Sequence, residues 1–305
     1  MSVDHTVERD PRAIAWERRR RAVAGAWSGF RRDTGGIVGL AVLAVVVLAA
    51  LFAPLIADES ALRVTNTGDN PSWASPSEFA PLGTDNLGRP IWDQLVFGAR
   101  ISLLVGLAAT LIAIVIGTVV GVAAGYLGGW IDAVLARLSE WFLVIPFIPL
   151  AIVLATILGA SLRNIVIVIG ITSWSTTALL IRAQVLTLKQ RLYVERSRAL
   201  GASGRQVMGR HILPGVVPLV LANTTLTVPI AILSETTLSF LGLGDPSQIS
   251  WGTMLDQSFS AGALSREAWW YYVPPGLAVL LVVLSFTFMG RALEAVLDPR
   301  LRERR

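Results

Sequence analysis

The apolar residues of this chain lie in uninterrupted runs rather than at amphipathic spacing, and that constrains everything else. The first run, Gly36 to Ile56, has about twenty residues, which at about 1.5 Å rise each cover the roughly 30 Å hydrocarbon core of a bilayer. Five more follow: Ile101 to Gly125, Trp141 to Leu158, Asn164 to Ile181, Leu213 to Ser234, and Val273 to Ala292. With 53% hydrophobic and only 15% charged residues, this grouping predicts an all-α integral membrane protein with six transmembrane helices. The first run is too long for the apolar region of a signal peptide and has no evident small-residue cleavage site, so it is expected to stay as a span.

Charge sets the expected orientation. An even number of spans puts both termini on one side, and twenty-one of the 26 Lys and Arg fall there. Only Arg63, Arg89, Arg100, Arg163 and Arg266 fall on the other. The positive-inside rule then places both termini in the cytoplasm. The expected layout is a basic cytoplasmic tail over 1–35, a first span over 36–56, and an outer segment over 57–100. A membrane core over 101–292 and a cytoplasmic tail over 293–305 complete it. Trp16, Trp27 and Phe30 are candidates to rest the first tail on the membrane surface or on another subunit.

Several chemistries are excluded. Lys189 is the only lysine and no glycine-rich run precedes it, so the chain has no P-loop for ATP. There is no cysteine for a disulfide, thiolate metal site or nucleophile. No H-E-x-x-H, G-x-S-x-G or intramembrane aspartate pair is present, so the chain is read as no enzyme and as holding no cofactor or metal. The two histidines, His5 and His211, lie outside the spans, which disfavours a metal site within them. The net charge of +5 sits in tails and loops, not on a surface suited to nucleic acid.

Within the outer segment, Asn70-Pro71, Ser75-Pro76, Ala80-Pro81 and Gly83-Thr84-Asp85 signal turns and predict a small folded cap. Asp85-Asn86 lacks the ligand alternation of a calcium loop and reads as a turn. Gly117, Gly121 and Gly125 share a helix face and predict a tightly packed helix pair. Pro146 and Pro149 should kink or break the third span. The polar run Thr172 to Thr177 cannot all face lipid; Thr176, with Asn223 and Thr227 of the fifth span, is a candidate to line a path, and interhelical hydrogen bonding explains each equally well. Glu235, at the outer end of that span, either has a functional role or caps or pairs with an arginine.

Between the fourth and fifth runs lies a polar, basic stretch, Tyr193 to Pro214. It reads as a helix ending at Leu200, a left-handed Gly201, and a second helix capped by Ser203 with Gln206 as capping-box partner. Pro214 is expected to stop the second helix. Such an elbow beside a membrane suits force transfer to or from a soluble partner.

The elbow resembles the E-A-A-x-x-x-G … I-x-L-P loop of ABC-importer permeases, through Glu195, Arg196, Ser197, Gly201, Ile212, Leu213 and Pro214. Arg196 and Ser197 replace the two alanines. Arg198 to Ser203 and Arg210 to Pro214 are similar to A-R-A-L-G-A-S and R-H-I-L-P of the dipeptide/oligopeptide/nickel group. So are Gly83 to Arg89 (with Pro90 in place of an Asp), Gly125 to Asp132, Glu235 to Gly244, Trp251 to Leu255, and Leu297 to Arg300. The resemblance implies a type I importer transmembrane domain forming half of a path for di- or oligopeptides, with nickel or another small solute as the alternative. It also implies a second permease subunit, two cytoplasmic ATPase domains that bind ATP and Mg, and an extracellular binding protein. Glu195, Arg196, Ser197, Arg198, Ala199, Leu200, Gly201, Ala202 and Ser203 then form the ATPase-docking coupling elbow. A secondary transporter or channel acting alone is the other class; it calls for internal repeats and mid-membrane charges, which are not seen.

Overall fold

The computed structural model describes residues 27–67 and 70–297, together with Trp16, Arg20, Ala24 and Gly25. The expected tail features at Arg18, Arg19, Arg21 and Asp298 to Arg300 lie outside the described residues. What is described is almost wholly helical: α1 (Thr34–Leu51), α2 (Ile91–Leu127), α3 (Gly129–Val144), α4 (Phe147–Leu158), α5 (Leu162–Thr172), α6 (Trp174–Lys189), α7 (Leu192–Ala199), α8 (Gly204–Val207), α9 (Leu213–Leu238), α10 (Trp251–Ser260) and α11 (Trp269–Leu297). Among the described residues, five helical stretches are long and apolar enough to cross a membrane, and α3 with α4 makes a sixth if the bent pair is one span.

Hydropathy marked the lipid-facing runs, but the helices overrun them. α2 starts ten residues earlier than its apolar run, at Ile91 after the N-cap Pro90, because Ile91 and Gln94 are fully buried against the cap. α11 likewise runs on to Leu297, past the expected start of the C-terminal tail. The third span is broken at Ile145 and Pro146, where α3 and α4 meet at 91°. Pro146 is the N-cap of α4, while Pro149 lies in its first turn, where a missing N–H costs nothing.

Pro214 does not stop its helix. A π-helical turn, Met208–Ile212, joins α8 to α9, and Pro214 falls in the first turn of α9. The wider turn passes the proline without a broken ladder, so Gly204 to Leu243 forms one 40-residue stretch.

α2 is the central post. Gly117, Gly121 and Gly125 face α6 so closely that a Cβ at Gly117 would sit 2.6 Å from Cβ of Thr177 and one at Gly125 would sit 2.8 Å from Cβ of Val185. The expected tight pair is thus α2 with α6. Leu107, Leu111, Val115 and Val119 of α2 remain exposed as an apolar stripe, suited to lipid or to another apolar helix. Phe30 is buried against the start of α1, so it is not free to rest on a membrane; Trp27, stacked on it at 5.8 Å, stays half exposed.

Candidate functional site

The elbow is built on three anchors. Val194 of α7, Val207 of α8 and Ile212 of the π turn are fully buried. They pack in one apolar cluster with Val122, Ile181, Val185, Leu188 and Val216. The elbow is therefore fastened to the ends of α2, α6 and α9 and is not a loose loop. Its corner has the predicted form. Leu200 is the C-cap of α7, and Gly201 adopts φ +85°. The Gly201 amide donates to the Arg198 carbonyl at 2.9 Å and the Ala202 amide to the Ser197 carbonyl at 3.1 Å, the paired bonds of a Schellman stop. Ser203 caps α8, and both halves of the capping box with Gln206 are formed.

What the elbow presents outward is chemically plain. Leu200 at the tip is 89% exposed. Glu195, Arg196, Arg198, Ala199, Gly201 and Ser203 are exposed around it, and Ser197 and Ala202 are half-buried. A shallow hollow of about 410 Å³ lies between Leu200, Gly201, Gln206, Arg210 and His211. His211 is held against the Tyr193 ring at 5.7 Å. Leu200 is thus an exposed apolar tip on a stretch that also carries the exposed Glu195, Arg196 and Arg198.

Three contacts that the sequence reading missed lock this end of the bundle. Arg182 of α6 grips Asp132 of α3 with two bonds, Nε to Oδ1 at 2.5 Å and Nη2 to Oδ2 at 2.8 Å. Lys189 donates to the carbonyls of Gly125 and Tyr126, both at 3.0 Å, at the carbonyl end of α2. Tyr126 Oη donates to the Gly204 carbonyl at 2.8 Å, tying α2 to the elbow. The partners lie 50 or more residues apart, so spacing could not reveal them. The only signal was that Arg182 and Lys189 lie two turns apart on one helix.

The candidate path residues separate. Asn223 of α9 donates from Nδ2 to Thr177 Oγ1 of α6 at 2.9 Å, which is interhelical bonding. Thr227 Oγ1 donates back to the Asn223 carbonyl at 2.8 Å. Thr176 is exposed, beside the buried Thr177. Within the polar run, Thr172 bonds to its own helix, and Ser173 marks the break between α5 and α6.

At the far end of α2 the cap is organised by Asp85. Its Oδ1 accepts from the Leu87 and Arg89 amides, both at 2.8 Å, which is a turn and not a calcium loop. Its Oδ2 accepts from Arg89 Nε at 2.6 Å and Gln94 Nε2 at 3.1 Å. Arg89 Nη2 then donates to Gln257 Oε1 of α10 at 2.8 Å. Glu235, in the last turn of α9, is held by serines and not by an arginine: it is 1% exposed, and it accepts from Ser239 Oγ at 2.8 Å and Ser102 Oγ at 3.3 Å. Ser102 Oγ in turn accepts from the Trp251 amide at the start of α10 at 3.2 Å.

Most of the chain is similar to known proteins. Residues 117–303 match the family of the binding-protein-dependent transport system inner membrane component. Residues 23–71 match the N-terminal transmembrane domain of oligopeptide transport permease C. The chain is 36% identical to the oligopeptide transport system permease protein OppC of Bacillus subtilis, over 90% of this chain and 88% of that protein. It is 38% identical to the di/tripeptide transport system permease protein DppC of Pseudomonas aeruginosa, over 90% and 91%. It is 35% identical to the glutathione transport system permease protein GsiD of Shigella dysenteriae, over 90% and 90%. The multi-span helical core, the elbow fastened to it and these matches together make the chain a member of the binding-protein-dependent transport system inner membrane components, with the transmembrane domain of a type I ABC importer.

Proposed function

We propose that this chain is the permease subunit of an ATP-driven importer that carries di- or oligopeptides across the cell membrane, and that Glu195 to Ser203 dock it to an ATPase. The observation that carries the docking role is Leu200, an apolar tip 89% exposed on a corner that is anchored by the buried Val194, Val207 and Ile212. A soluble partner with an apolar groove and an acidic rim fits that face. Peptide as substrate is supported by the similarity to oligopeptide and di/tripeptide transport permeases. The full assembly pairs the chain with a second permease, two ATPase domains holding ATP and Mg, and a substrate-binding protein. Both termini and the elbow lie in the cytoplasm, and the cap lies outside.

Force transfer follows from continuity. The stretch from Gly204 to Leu243 is helical from the elbow to the buried Glu235 cluster. When ATP draws the ATPases together, the elbow moves with its ATPase, and α9 carries that movement to the far face. ATP shifts the equilibrium between the two access states only through its unequal affinity for them.

The test is purification from native membranes in mild detergent. A second six-span protein, an ATPase and a binding protein should co-elute, and that binding protein should carry a peptide. A chain that elutes alone and moves solute in liposomes without ATP would overturn the reading.

A further inference from the structure

On the face away from the elbow, a cavity of about 540 Å³ lies between the cap, the first turns of α2 and the loop before α10. Arg63, Arg89 and Arg100 all line it, against Glu59 as the single lining carboxylate. Arg89 is 7% exposed and is held by Asp85 and Gln257, so its guanidinium is a fixed part of the wall. Arg63 and Arg100 are exposed and take part in no ion pair among the described residues. Five of the chain's bases lie outside its elbow side, and three of them meet in this one cavity. Asp85 offsets the charge of Arg89, which leaves Arg63 and Arg100 against Glu59, and this net positive balance on a concave surface favours an anion there.

The remaining wall is part polar, from Ser247, Gln248 and Gln257, and part apolar. Phe97, Ile101 and Leu104 of α2 and Ile249 of the loop line the cavity beside the arginines. A guanidinium fork matches a carboxylate, and an adjacent apolar wall matches a hydrocarbon side chain. Both features occur together at the free carboxyl end of a short peptide whose last residue is apolar. A bare inorganic anion would leave the apolar wall unused.

We propose that this cavity is a carboxylate site that receives the C-terminal end of a short peptide on the outer face of the permease. This rests on the peptide reading given above. The site also touches the cap, α2 and α10 at once, and α10 is bonded through Ser102 toward Glu235 of α9. An occupied site would thus bridge the cap to the helix that begins at the elbow.

The experiment measures equilibrium binding to the purified complex of this chain with its partner permease and ATPases, without the binding protein. The probes are Ala-Leu, its C-terminal amide and N-acetylleucine. Ala-Leu and N-acetylleucine should bind more tightly than the amide. Arg63→Gln with Arg100→Gln should weaken both carboxylates by about ten-fold or more, leave the amide unchanged, and be partly rescued by Arg100→Lys. Equal binding of peptide and amide overturns the proposal. So does a variant whose peptide affinity is intact while only its association with the binding protein is lost, since that marks a protein-docking surface. If N-acetylleucine binds in an arginine-dependent way but the wild-type assembly transports no labelled peptide, the carboxylate site stands and the peptide reading falls.

Discussion

At the residue scale, three acids of the family-like motifs have anchoring partners. Asp85 holds Arg89, Asp132 holds Arg182, and Glu235 is bound by serine hydroxyls. Gly201 has open space around it and a φ of +85°, so its constraint is conformational and not steric. Gly201→Val should strain the corner by about 1–2 kcal/mol and uncouple ATP hydrolysis from transport, while Gly201→Asn, which tolerates this conformation, should keep most coupling. Equal transport per ATP in all three proteins would remove the corner from the mechanism. Asp245 offers a pH readout. Burial raises its pKa, but bonds from Ser247 and the Leu162 amide outweigh this and hold it below the usual 3.8. Its contribution to stability is present above about pH 4 and is lost as pH falls through the lowered value. Asp245→Asn should flatten that acid limb of the thermal-unfolding profile and expose the amides at the start of α5 to faster hydrogen exchange.

At the element scale, the α2–α6 contact and the Asp132–Arg182 clamp bear on different vulnerabilities. Gly121→Leu would drive a side chain into the backbone of α6 at Ala178. Overpacking of this kind costs about 1–3 kcal/mol, and the variant should show a lower midpoint of thermal unfolding in detergent. The clamp is a two-bond charge pair with both side chains partly exposed. Asp132→Asn and Arg182→Gln should each destabilise by about 1 kcal/mol, and the double variant by less than their sum. Additive losses would show that the pair acts as two independent surface charges. The sequence marked the glycine stripe by its spacing of four, but the clamp joins residues fifty apart and leaves no local pattern.

At the scale of the whole molecule, orientation is the prediction with the widest reach. The chain has no cysteine, so a single introduced thiol reports its side without background. Ser77→Cys in the exposed cap should react with a membrane-impermeant maleimide in intact cells. Arg205→Cys in the elbow should react only after permeabilisation. The reverse pattern would invert the topology and with it the docking of an ATPase at Leu200. The two ends are linked by α2, which at 37 residues is about 55 Å long, with Tyr126 bonded to the elbow at one end and Gln94 in the cap network at the other.

Hydropathy by itself determined the membrane class and the approximate spans, because burying apolar runs of that length in lipid outweighs every local preference. The elbow was also legible, because a Gly stop and a Ser capping box are local devices written in adjacent residues. Helix ends were not, since the first turn of α2 buries Ile91 and Gln94 in contacts that only the folded chain supplies. Nor was the fate of Pro214, which depends on a π turn that only the continuous helix can supply. The roles of Asp132, Arg182, Glu235 and the arginine-lined cavity were decided by tertiary structure alone. A charge acquires a partner, a buried environment or a neighbour of like sign only when distant segments are brought together.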